Sequence, residues 1–113
     1  MVDDEVLGSH RQELRRGTVA LACLLALRTP GYGYALLKTL GTAGIPSDAN
    51  TIYPLLRRLE ERGHLESEWN TEESRPRKFY RTSASGAELA RQLMTDMTEL
   101  TASLHALNGG TKR

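Results

Sequence analysis

The sequence predicts a mainly α-helical domain carrying one small β-hairpin. Apolar residues recur at helical spacing in several stretches. Two short segments, Leu65 to Trp69 and Arg77 to Thr82, alternate with a period of two instead. Glycine, proline or a small capping side chain stands at most of the boundaries.

The first nine residues read as frayed, and a first helix as running from about His10 to Arg28. Leu14, Leu21, Ala22, Leu24 and Leu25 recur along it. Thr29-Pro30-Gly31 ends it, because proline cannot continue the hydrogen-bond ladder. A second helix spans about Tyr34 to Thr42, with Leu36, Leu37 and Leu40 as its apolar stripe. A third begins near Ser47 or Asp48, either of which could cap it, and runs to Arg62 before Gly63. Pro54 allows two starts. With Ser47 as cap it falls in the second turn and kinks the helix. With regular helix from nearer Asn50 it falls in the first turn, where the missing N–H is harmless. Between the alternating segments, Asn70 to Pro76 is polar and turn-like, so the pair reads as a hairpin with Phe79 and Tyr80 on opposite faces. A last helix spans about Ala84 to Leu107. Ser83 or Ser85 can cap it, Ser85 with Glu88 having capping-box spacing, and Gly109 and Gly110 close it.

Composition narrows function by exclusion. The 113 residues suit one domain, and a second chain adding to so small a core would help it. Fifteen Lys and Arg against fourteen Asp and Glu give a net charge of +1, so any phosphate-binding surface must come from local clustering. Cys23 is the single cysteine and lies in an apolar stretch, where it reads as a small buried hydrophobe. His10, His64 and His105 are scattered and no metal-ligand spacing is present. No nucleophile–base pair and no phosphate-binding glycine loop stand out, so neither an enzyme nor a cofactor is expected. No apolar run approaches the roughly 20 residues that span a bilayer, and Met1 to Ser9 lacks a signal-peptide core. The expectation is a cytoplasmic protein.

Three features point to function. On the third helix, Ile52, Leu55, Leu56 and Leu59 share a core-facing side at 100° per residue, and Asn50, Tyr53, Pro54, Arg57 and Glu61 lie opposite. Asn and Arg suit bidentate contacts with adenine and guanine edges, and a helix exposed after a helix and a loop is how a recognition helix enters the major groove. A solvated polar face is the plainer alternative, and Glu60 and Glu61 oppose close phosphate approach. The second feature is the run Arg75, Arg77, Lys78 and Arg81 with no acid among them, suited to a phosphate backbone or minor groove. Solubilising edge-strand charge is its alternative, and Glu72 and Glu73 weaken it. Arg11, Arg15 and Arg16 form a further basic group. The third feature is the spacing four, three, four, three of Leu93, Met97, Leu100, Leu104 and Leu107. This is a coiled-coil seam too short to stand alone, which favours a second copy of the chain over packing on its own domain.

The stretch Asn50-Thr51-Ile52-Tyr53-Pro54-Leu55-Leu56-Arg57-Arg58-Leu59-Glu60-Glu61-Arg62-Gly63 resembles the signature of PadR-family transcriptional regulators. Upstream, Gly31-Tyr32-Gly33-Tyr34-Ala35-Leu36 is similar to the family's Gly-Tyr motif. Downstream, Arg75 to Arg81 followed by Ser83 and Gly86 resembles its wing strand. The match runs in register from about Leu14 to Leu89. The resemblance implies a winged helix-turn-helix over residues 10–83, a C-terminal dimerisation helix over 84–108, a homodimer on double-stranded DNA, and usually repression. It also implies DNA-binding roles for Tyr34, Asn50, Thr51, Tyr53, Arg75, Arg77 and Lys78, to which the helix face adds Arg57. Asn50 replaces a common glycine, Ser74 stands where the wing turn often has glycine, and Thr82 replaces a usual leucine. Some relatives bind flat aromatic effectors between subunits; residues 84–113 contain no Phe, Tyr or Trp, and Trp69 reads as part of the wing's packing. An effector is therefore left open. The competing reading is a winged helix that binds proteins and not DNA.

Overall fold

The computed structural model describes residues 1–72 and 74–109, so Glu73 in the hairpin turn and the closing Gly110 lie outside the described residues. The elements are α1 (Asp4–Arg15), α2 (Thr18–Ala26), β1 (Gly31–Tyr32), α3 (Gly33–Thr42), α4 (Ala49–Glu61), β2 (Leu65–Asn70), β3 (Arg77–Thr82) and α5 (Ala84–Leu107).

The single first helix expected from sequence is two helices. Asp3 caps α1 by accepting from the Val6 amide at 2.8 Å, and Asp4 and Glu5 favour its positive N-terminal end. The helix thus starts six residues early, and the expected fraying is not seen. It stops at Arg15; Gly17 then caps α2 without a side-chain hydrogen bond. All of α1 is exposed, Leu14 at 76%, so Leu14 does not belong to the core stripe.

The core is built where α2, α3, α4 and the sheet meet. Leu21, Cys23, Leu24, Leu36, Leu40, Ile52, Leu56, Leu65 and Tyr80 are buried in it. Burial pushes the Cys23 thiol up to about 12. A maleimide at neutral pH is therefore expected to leave native Cys23 unmodified and to label it fully in denaturant. Rapid native labelling would mean that α2 opens readily.

Helix α4 ends in a paired turn. The His64 amide donates to the Leu59 carbonyl at 2.8 Å and the Gly63 amide to Glu60 at 2.9 Å. Gly63 holds φ of +82°, a conformation that side chains with Cβ resist. The chain then enters an antiparallel sheet of order β1-β3-β2. Leu65 pairs with Thr82, Ser67 with Tyr80 and Trp69 with Lys78, while Gly31 and Tyr32 pair with Tyr80 and Phe79. Thr82, at the position where leucine was the expected type, donates its hydroxyl to the Leu24 carbonyl at 2.6 Å, and its amide donates to Leu27 at 2.8 Å. The end of β3 thereby satisfies carbonyls left open at the end of α2.

Ser83, not Ser85, caps α5, accepting from the Gly86 amide at 3.1 Å. Ala90 is buried, and Leu89 and Leu93 pack against the core, so the early turns of α5 lie along α2. Farther out, Leu100, Leu104 and Leu107 are exposed. Among the described residues, no helix is long and apolar enough to cross a membrane, and no group of His, Cys, Asp and Glu could hold a metal ion.

Candidate nucleic-acid interface

Helix α4 follows α3 after a short loop and is capped by Asp48, whose Oδ1 accepts from the Thr51 amide at 3.0 Å. This start puts Pro54 in the second turn, so the Asn50 carbonyl has no amide donor four residues on. Ile52, Leu56 and Leu59 are buried and Leu55 is half-buried, as their spacing requires. That anchoring leaves Asn50, Tyr53, Pro54, Arg57 and Glu61 exposed.

The hairpin stands beside this face. Tyr32, Tyr34, Tyr53, Arg75, Arg77 and Lys78 line a cleft of about 300 Å³ between wing and helices, with Gly33 and Tyr80 at its wall. A Cβ on Gly33 would lie 2.5 Å from Tyr53 Cε1, so only glycine there lets the Tyr53 ring lie against the start of α3. Thr51 lies apart from this cleft. It lines a second one of about 510 Å³ with Arg15, Arg16 and Arg58, between α1, α2 and α4. Of the sequence-predicted residues, Tyr34, Tyr53, Arg75, Arg77 and Lys78 thus share one cleft. Asn50 and Arg57 stand on the exposed helix face, and Thr51 lies on its far flank.

A model of the PadR-like family of transcriptional regulators matches residues 21–92. The chain belongs to this family. A PadR family transcriptional regulator from Eggerthella lenta DSM 2243 is 44% identical over 96% of both chains, with a TM-score of 0.90. A transcriptional regulator from Clostridium thermocellum is 27% identical over 88% of this chain and 99% of its own, with a TM-score of 0.72. A PadR-like regulator from Bacillus cereus, at 22% identity and a TM-score of 0.77 over 88% of this chain and 99% of its own, shares the fold. A search of curated proteins finds no match.

Within this PadR-like winged helix, the wing cations Arg77, Lys78 and Arg81 are held by the domain. Arg77 Nη1 donates to Tyr34 Oη at 2.7 Å, and its guanidinium lies 5.0 Å from the centre of that ring. Tyr34 stacks on Tyr32 at 5.7 Å, and Tyr32 accepts from Asn70 Nδ2 at 2.7 Å. Lys78 is engaged as well, with Nζ 3.1 Å from Glu60 Oε1. Arg81 pairs with Glu66 and Glu68, its cross-strand neighbours on β2. Trp69 is 62% exposed and not packed into the wing as expected from sequence.

Sequence reasoning missed Tyr32, Asn70, Ser67 and the role of Glu60. Ser67 Oγ donates to Glu60 Oε2 at 2.5 Å. That hydrogen bond, with Lys78 adding to it against the opposing effect of burial, holds the Glu60 carboxyl below its usual range. Burial raises the Tyr80 hydroxyl above its own. No one-dimensional pattern marks these partners: Asn70 meets Tyr32, 38 residues earlier, and Ser67 and Lys78 meet Glu60 only because the hairpin folds back beside α4.

Proposed function

We propose that this PadR-like regulator is a sequence-specific repressor that binds a palindromic operator as a homodimer. The observation that carries the reading is the juxtaposition of two surfaces. The exposed face of α4 presents Asn50 and Arg57, and the wing presents Arg75 and Arg77 beside it. A helix offering Asn and Arg can read base edges in the major groove, while the cations beside it hold the backbone. Residues 10–83 then carry recognition and residues 84–108 dimerisation, in the cytoplasm where the chromosome lies.

The proposed dimer seats a second copy on the outer stripe of α5. Leu93 is spent on the protomer's own core and Met97 is half-buried, but Leu100, Leu104 and Leu107 are exposed at seam spacing. A stripe that repeats every three or four residues matches its own copy across a two-fold axis, and a two-fold dimer presents two recognition helices to a palindrome. The resemblance of the motifs to PadR regulators, which implies repression, supports the direction of control.

The test is a fluorescence-anisotropy titration with DNA from upstream of the protein's own gene and a scrambled duplex, at two salt concentrations. Tighter, salt-sensitive binding to the native fragment is expected. Asn50→Ala is expected to cut the preference between the two duplexes by roughly tenfold, since a bidentate base contact discriminates by about 1–3 kcal/mol. Arg75→Ala should weaken both alike and flatten the salt slope by about 0.9. An unchanged preference in Asn50→Ala would move the reading surface elsewhere. No binding at low salt by a confirmed dimer would return the protein-interaction reading.

A further inference from the structure

Glu60 is an acid on the recognition helix, and simple electrostatics makes it an obstacle to DNA. Its two oxygens are occupied differently. Oε2 accepts from Ser67 on β2 at 2.5 Å, and Oε1 lies 3.1 Å from Lys78 Nζ on β3. Ser67 pairs with Tyr80 and Lys78 pairs with Trp69, so Ser67 and Lys78 are diagonal neighbours on one face of the hairpin. One carboxylate therefore spans both strands of the wing. Lys78 is further confined by the Tyr80 ring, 5.5 Å from its Nζ. On the helix, Glu60 projects on the same side as Tyr53, two turns away, and Arg57, within one turn, and its contacts place it on the flank next to the wing.

We propose that Glu60 is a positioning residue for DNA binding, fixing the wing against the recognition helix before DNA arrives. The inference rests on the DNA-binding reading above. Its physical content is preorganisation: a wing already held at its working angle loses less freedom on binding than a loose one. The net effect of the Glu60 charge on affinity is then favourable, opposite to its Coulomb effect on phosphate. Lys78 acts through the same tie, being committed to Glu60 and not to the backbone.

The experiment compares the wild type with Glu60→Gln and Glu60→Ala in the dimeric protein, titrating a duplex at several salt concentrations. Gln keeps an acceptor for Ser67 and loses the charge that holds Lys78; Ala loses both. The expected order is wild type tightest, Gln weaker by roughly three- to tenfold, and Ala weaker again, with no steepening of the salt slope. Charge masking predicts the reverse: both variants bind more tightly and alike, with the slope steeper by about 0.9 as Lys78 reaches a phosphate. That result overturns the proposal. Should Glu60→Ala not fold, Ser67→Ala decides, since it breaks half the tie at constant charge; weaker binding supports the proposal and unchanged binding overturns it. Trp69, the chain's only tryptophan, lies opposite Lys78 on the wing and reports without DNA. Its fluorescence anisotropy is expected to fall in Glu60→Ala, and an unchanged value overturns the tie. If the wild type binds no duplex, the DNA reading fails, and the Trp69 signal separates that failure from a failure of the tie.

Discussion

Gly86→Ala is expected to lower the thermal midpoint by about 10 °C or more. A Cβ at this position would lie 2.1 Å from the His64 carbonyl oxygen, 3.0 Å from its carbon and 2.9 Å from Thr82 Cγ2. The nearest obstacle is backbone, which no rotamer change can remove. That same carbonyl accepts from the Ser83 amide at 3.1 Å, so displacing it loosens the junction of α4, β2 and α5 together. Overpacking of this kind costs about 1–3 kcal/mol or more, and each kcal/mol moves the midpoint of a domain near this size by about 4–8 °C. Gly41→Ala is the control, because nothing lies within 4 Å of a Cβ there and α3 already runs through it. Circular dichroism melts should show Gly41→Ala equal to or slightly above the wild type. Equal midpoints for all three proteins would mean that the close approach at Gly86 relaxes at little cost.

The paired substitution Leu100→Glu, Leu104→Glu is expected to give a folded monomer with operator affinity reduced by a factor of about a hundred or more. Both side chains are 60% exposed in the protomer, so the charges meet water and not the core. Across the proposed two-fold axis they would meet each other, with like charges and no apolar cover. Losing the second recognition helix removes the gain from binding both half-sites at once, which is on the order of 10²–10⁴. Light scattering after size exclusion reads the mass, and anisotropy reads the affinity. A variant that stays dimeric would place the interface off the outer stripe, with the exposed α1 as the next surface to change. Leu93→Glu should behave differently and unfold the protein, since Leu93 packs on the protomer's own core.

Much of the fold was legible because periodicity and punctuation agreed. The hairpin, α3 and α5 lie within a residue of where alternation, apolar spacing and Gly, Pro or Ser placed them. The start of the chain was not. Asp3 caps a helix with no buried residue, and a helix that buries nothing leaves no apolar stripe to read. β1 was missed because two residues, Gly31 and Tyr32, are too short to show alternation; their pairing depends on β3 almost fifty residues later. The exposed face of α4 could be read, because the buried residues of an amphipathic helix dictate which others face water. The partners of the wing cations could not. Tyr34 meets Arg77 and Glu60 meets Lys78 only through the tertiary fold, and Glu60 looked adverse on sign alone.

The Ser83 hydroxyl has a mechanical consequence. It accepts from the Gly86 amide at the start of α5 and donates to the Gly63 carbonyl at the end of α4, 2.5 Å away. One buried oxygen is thus the rivet between the helix that would meet DNA and the helix that would meet the partner. With the two joined in this way, α5 and the domain would act as a single arm. In the proposed dimer, the distance between the two reading heads is then set by the angle at which the arms cross.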